Sequence, residues 1–345
     1  PHRHYSQTRP VLTGSAGRSH VIKHGSTIIW SPSDLTSAAA CEYGLLRALD
    51  RKLGLIPPAA VVSDPLMDQI AELGNAHEQR VLEAYRAEFG PAREGGGVVV
   101  LGRALSAKVD DLTALADQTR AVFGERPDLV CQAGFFDGEF HGYADFIRRS
   151  ADGWVVADTK IARTAKTSAL LQIAAYAGQL GAWGRPVAAY AELILGTGET
   201  QRFPLVDILP VYRERRSRLR ELIADHLAAE AVAVWDAPGI QACGSCTECG
   251  AAAEAADDLI LVAGLRMAQR RKLKDAGIHT IPDLVAAESA PDGMAAKTFG
   301  KLKAQATLQW AQIGSERAGE PQITFDVFAQ KPLRALPEPS PGDLF

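Results

Sequence analysis

Two acids and a lysine stand in strings that are otherwise apolar and aromatic: GYADF at 142–146 and VVADTK at 155–160. Asp is disfavoured in strands, so Asp145 and Asp158 call for a reason beyond the strand itself. Asp137-Gly138 reads as a two-residue turn joining LVCQAGFF to EFHGYADFIRR, and Asp152-Gly153 as the turn into WVVADTK, which together give a three-stranded meander. If Ala151 pairs with Trp154, Asp145 faces Lys160, Asp158 is diagonal to Asp145, and all three side chains share one face of the sheet. Thr159 then points away and leaves its carbonyl at the strand edge. Two adjacent carboxylates can bridge one divalent cation through oxygens at about 2.1 Å, and a lysine beside such an ion suits water-mediated attack on a phosphate ester. The plainer alternative is a solvated ion pair on an exposed face.

The elements on either side bring further polar side chains. A helix over about Asp64 to Phe89, stopped by Gly90 and Pro91, carries LGNAHEQRVLEAY with His77 in its middle. Another, from about Ser168 to Trp183, puts Gln172 and Tyr176 one turn apart on one face. Arg148, Arg149, Arg163 and Lys166 flank the acids, as a solvated rim or as a phosphate track. SPSDL at 31–35 offers Ser33 and Asp34 as caps for one helix running through Cys41 to about Leu53. VAAYAELILG at 187–196 reads as a strand and 206–235 as helix.

Taken together, these strings resemble the core of the PD-(D/E)XK nucleases, in the RecB-like branch. That branch often has Asp-x-Lys in place of Glu-x-Lys, a preceding GxxxH helix, matched here by Gly74 to His77, and a following QxxxY helix, matched by Gln172 and Tyr176. The resemblance implies an α/β fold with a mixed central sheet flanked by helices and a Mg2+- or Mn2+-dependent deoxyribonuclease activity. It makes His77, Asp145, Asp158 and the Thr159 carbonyl metal ligands, and Lys160 the group that orients water and offsets charge at phosphorus. Gln172 and Tyr176 would contact the DNA backbone or brace Lys160, with Arg163 and Lys166 as further DNA contacts.

Three of five cysteines lie within seven residues, as CGSCTEC: Cys243, Cys246 and Cys249. Three thiolates do not close a tetrahedral site. Of the other two, strand alternation puts Cys131 on the face opposite Asp145, with Ala133 and Phe135, as plain core, which makes it a poor candidate, and Cys41, on the first helix, is the better fourth ligand. One early and three late cysteines resemble the iron-sulfur variety of the family, found in AddB and the CRISPR-associated adaptation nucleases, which implies a [4Fe-4S] cluster. The short gap before Cys249 departs from that variety, and Zn2+ suits the same sulfurs.

The chain has 345 residues, 47% hydrophobic and 23% charged, with a net charge of -4. This composition excludes a disordered or collagen-like chain and any global basic field. No apolar run approaches the roughly 20 residues that cross a bilayer, and no secretory leader opens the sequence, so the cytoplasm is the default expectation. The layout reads as a polar tail at 1–25, a nuclease domain at 26–252, a small all-α domain at 255–312 and a linker at 313–345. In the small domain, VAGLRMAQRRKLKDAGIHTIPDL resembles a helix-hairpin-helix DNA-binding unit; the alternative is a helical bundle's core of Leu261, Leu265, Leu273, Ile278, Ile281 and Leu284, with Arg270, Arg271, Lys272 and Lys274 on its wet side. The layout also resembles RecB-like nucleases that precede helicase regions, which implies an ATP-driven motor as partner or continuation. No GxxxxGK[ST] phosphate loop occurs in the chain itself. Two rivals remain open: a catalytically silent iron-sulfur DNA-binding platform, and a base-excision glycosylase, whose cluster cysteines lie close together in sequence.

Overall fold

The computed structural model describes residues 21–59, 64–320 and 322–326. The chain divides into two compact units, Pro1–Cys243 and Gly244–Phe345. Of the tail expected at 1–25, residues 1–20 lie outside the described residues, and the rest enters a two-stranded ribbon, β1 (Ile22–His24) and β2 (Thr27–Ile29). Among the described residues no helix is long and apolar enough to cross a membrane.

The first unit is a mixed α/β layer structure. After β2 come α1 (Pro32–Ala40), α2 (Glu42–Leu53), α3 (Pro65–Phe89), β3 (Val98–Val100) and α4 (Val109–Gly124). Then follow β4 (Leu129–Phe136), β5 (His141–Ser150), β6 (Gly153–Lys160), α5 (Thr167–Ala182), β7 (Tyr190–Leu195), β8 (Thr200–Pro204) and α6 (Leu205–Ala229). Six strands form one sheet in the order β3-β4-β5-β6-β7-β8. The β3–β4 and β6–β7 pairs are parallel and the other three antiparallel. A large core joins Val130, Ala133, Ile147 and Val156 of the sheet to α1, α2, α5 and α6. A smaller one joins Leu129, Cys131, Phe146, Ala157 and Ile194 to Leu82 of α3.

Cys131 thus parts from Ala133 and Phe135, contrary to simple alternation. Between them Gln132 has φ +55°, a left-handed backbone that an L residue adopts only under constraint, and it reverses which side of the strand faces which layer. The single helix expected through Cys41 is two helices. Cys41 is extended, φ -162°, closing α1 and opening α2, whose Gly44 N–H it caps through Sγ. The cap of α1 is Ser31, with Asp34 completing a reciprocal capping box. The sequence reading also lacked α4 and β8.

The second unit holds α7 (Thr247–Ala255), a 3-10 turn at Leu259–Leu261, α8 (Met267–Asp275), α9 (Ile281–Ala286) and α10 (Ala296–Arg317). Leu259, Val262, Leu273, Ile281, Leu284, Phe299 and Leu302 form its core. The helix through Arg317 replaces the start of the expected linker, while residues 321 and 327–345, with LPEPSPGDLF, lie outside the described residues. Arg270 is not on the wet side: it is buried, and donates from Nε (2.7 Å) and Nη2 (2.6 Å) to buried Asp258, which also accepts from Lys274 Nζ at 2.9 Å.

Candidate active site and cysteine group

Both turns of the meander are displaced from the expected positions. Phe136 pairs with His141, so the first loop has four residues, Asp137 to Phe140, and its Asp137 carboxylate accepts the Phe140 N–H at 2.7 Å. Ser150 pairs with Gly153, so the second turn is Ala151-Asp152. Each change moves the register by two. Side-chain parity therefore survives, but Asp145 comes opposite Asp158 rather than Lys160. The β5–β6 ladder ends at Phe146↔Ala157, one position short of that pair. The β4–β5 ladder omits Gln132 and Asp145, pairing Cys131 with Phe146 and Ala133 with Ala144. Asp145 stands where regular pairing fails on both sides, a place where sheets re-aim side chains.

Several groups meet at this mouth. Lys160 Nζ is 2.5 Å from Asp158 Oδ2. Asp145 Oδ2 accepts the Thr159 N–H at 3.0 Å and the Thr159 hydroxyl at 2.9 Å. Thr159 therefore does not point away from Asp145, and β6, flanked by β5 and β7, is not an edge strand. Glu78 of α3 accepts a short hydrogen bond from buried Gln132 Nε2 and lies close enough to Asp145 to feel its charge. Gln132 Oε1 is buried without a partner.

Burial, opposed by Lys160 and reinforced by Asp145, pushes Asp158 up to about 8. Burial and the Asp145 charge push Glu78 up to about 7. Burial works to lower Lys160, but Asp158, Asp145 and Glu78 raise it, so the ammonium stays charged. Asp145 and Asp158 thus sit beside the Lys160 ammonium, with Glu78 near enough to share their field. Unlike the cysteines below, these acids and His77 are not gathered within 4.8 Å of one another.

The remaining expected residues divide. His77 is buried, with Nε2 at 3.1 Å from the Ile194 carbonyl, which leaves Nδ1 without that bond, and it is not gathered with Asp145 and Asp158 as the cysteines are with one another. Gly74 meets no steric demand, since a Cβ there would touch nothing. Tyr176 is buried against Phe135 and Phe140, and the nearby charges of Asp158 and Asp145 work with burial to push its hydroxyl well up. It braces β5 and does not face solvent. This explains the glycine of GYADF: a Cβ on Gly142 would stand 2.9 Å from the Tyr176 ring. Gln172 is half-buried, whereas Arg163 and Lys166 are exposed on the loop leading into α5. Glu78 and Gln132 were missed by the sequence reading. The one signal for Glu78 was its place directly after His77, and Gln132 had none, because its role depends on backbone geometry.

The ligand atoms of Cys41, Cys243, Cys246 and Cys249 all lie within 4.8 Å of one another, and among the described residues this is the one group of three or more potential ligands so gathered. It could bind a metal ion or cluster. The Cys41 sulfur accepts the N–H of Gly44 at 3.2 Å and that of Cys243 at 3.4 Å, as suits a thiolate ligand. Glu42 holds this approach in place. It accepts two bonds from Arg218 (2.7 and 2.8 Å) and one from the Gln241 N–H (2.9 Å), while Tyr43 N–H donates to the Gln241 carbonyl at 3.1 Å. Cys131 takes no part. Burial pushes its thiol well up.

No protein-family model matches the chain, and no curated protein is similar to it at a significant level.

Proposed function

We propose that the chain is a metal-dependent deoxyribonuclease of the RecB-like PD-(D/E)XK type, whose phosphodiester hydrolysis serves DNA repair, recombination or defence. The observation that carries the reading is the meeting of Asp145, Asp158 and Lys160 where β5 and β6 part, with Glu78 beside them. Asp145, Asp158, the Thr159 carbonyl and His77 through Nδ1 would hold Mg2+ or Mn2+. Bound there, the ion supplies a water of lowered pKa and polarises a phosphate oxygen. Lys160, charged and half-exposed, orients that water and offsets the negative charge that grows at phosphorus. Asp145, fixed by two bonds from Thr159, gives the site its geometry, and Tyr176 braces the strand that carries it. Arg163 and Lys166, exposed at the entrance to α5, contact backbone phosphates, with Gln172 beside them.

The cysteine group, on this reading, holds a [4Fe-4S] cluster of structural role, with Zn2+ as the alternative occupant. The second unit acts as a helix-hairpin-helix-like module, in which exposed Arg271 and Lys272 remain for DNA while Arg270 and Lys274 serve Asp258. The partners are DNA and an ATP-driven helicase in the same polypeptide or complex, in the cytoplasm. The test is incubation of labelled single- and double-stranded DNA with the protein and Mg2+ or Mn2+. Products with 5'-phosphate ends, absent in excess EDTA and from Lys160→Ala, are expected. Undiminished cleavage in EDTA would sink the reading.

A further inference from the structure

The mouth between β5 and β6 leaves a second basic feature of the same unit unused. Arg213, Arg216 and Arg220 lie on one face of α6 and, with Tyr212, Ser217 and Gly178 of α5, line an open cleft of about 350 Å3. Like charges one turn apart on a helix repel, so three such arginines need compensation. Part comes from the β4–β5 loop, where Asp137 pairs with Arg216 at 3.1 Å and Glu139 with Arg220 at 3.0 Å. Arg213 makes no ion pair among the described residues, and the lining itself holds no carboxylate.

A second feature of the cleft is independent of its charge. Tyr212 is 2% exposed, its ring lying where a Cβ on Gly178 would stand only 2.9 Å away. Its hydroxyl is buried beside Arg216, whose guanidinium partly offsets the burial that raises the phenol's pKa. The Tyr212 ring forms part of a cleft wall that otherwise offers guanidinium forks and the Ser217 hydroxyl. Such donors match a phosphate, two of whose oxygens a planar guanidinium binds bidentately.

We propose that this cleft is a phosphate subsite that grips the backbone of a single nucleic-acid strand whose scissile bond lies at the Asp145–Asp158 mouth. The choice of a strand over a small phosphate rests on the nuclease reading: the loop whose Asp137 and Glu139 pair with the cleft's arginines leads at Phe140 into β5, the strand that carries Asp145. Glu139 and Asp137 hold the arginines until phosphates displace them.

The test is binding of a short labelled single strand in EDTA, where no cleavage intervenes, read by fluorescence anisotropy over a range of salt. Arg213→Glu/Arg220→Glu, checked by circular dichroism to be folded, is expected to lose at least tenfold in affinity. The slope of log affinity against log salt should flatten by about 1.4, which is two phosphate contacts on a single strand. Glu139→Gln, which releases Arg220, is expected to tighten binding severalfold. Unchanged affinity and slope in both variants would overturn the proposal. So would arginine-dependent binding of inorganic phosphate or ATP with oligonucleotide binding unaffected, since the cleft would then serve a small phosphorylated molecule. Arginine-dependent strand binding by a protein that cleaves nothing would instead sink the nuclease reading and leave the cleft standing.

Discussion

Asp158 lies 5% exposed between Lys160 and Asp145, where low dielectric and a like charge both resist its ionisation. Its folded pKa, about 8 against an ordinary 3.8, makes it a cost to the metal-free protein. Unfolded chain releases this proton near pH 4 and folded chain only near 8, so stability is lost as pH rises between the two. Asp158→Asn has no such loss. Without added divalent cation, the variant should melt higher than the parent at pH 8, by about 2–6 °C for a gain of about 1–2 kcal/mol, and the gap should close toward pH 4. A variant equally stable or weaker at pH 8 would contradict the environment assigned to Asp158. At this scale the sequence was informative because aspartates inside β-forming strings are out of place. Glu78 looked like any exposed helix acid, and the left-handed Gln132 like any strand residue, since neither burial nor φ is written in residue type.

Turn length decided what was legible among the elements. Asp-Gly pairs suggested two-residue turns at 137–138 and 152–153, but the Asp137 side chain ties a wider loop, and Gly153 opens β6 rather than closing a turn. Both errors were even-numbered shifts, so the shared face of Asp158 and Lys160 was read correctly while the partner of Asp145 was not. Cys41 was placed inside a helix because its neighbours all favour helix, yet it is the joint between two. The clamp beside it gives a second expectation. Burial works against the Glu42 carboxylate, but Arg218 and the Gln241 N–H more than compensate and lower its pKa. Its contribution is therefore full above about pH 4.5 and is lost as pH falls through the folded value. Glu42→Gln should cost about 1–3 kcal/mol at pH 7, with the difference shrinking in acid, and should weaken metal retention by displacing Gln241 and Cys243 from Cys41. Urea denaturation and metal analysis of the variant check both. Unaltered metal content would separate the clamp from the cysteine group.

On the scale of the whole chain, Cys41 and Cys243 are 202 residues apart, and a ligand that ties them closes a very long loop, which restricts the unfolded chain. The division into a mixed-sheet unit and a helical unit could be read from hydrophobic period alone, whereas the boundary at Cys243, inside the cysteine loop, could not. Anaerobically purified protein is expected to be brown and to carry four irons, as the formula of the cluster requires. Cys41→Ser should lose them and Cys131→Ser should keep them. Colourless protein with one zinc would decide for the other occupant. The acidic mouth is tested most directly by Asp158→Ala, assayed in parallel for cleavage of labelled DNA in Mg2+ or Mn2+ and for binding of the same DNA. Loss of cleavage with binding retained is the expected result. Full cleavage by that variant would contradict the assignment of Asp145, Asp158 and Lys160 as the catalytic centre.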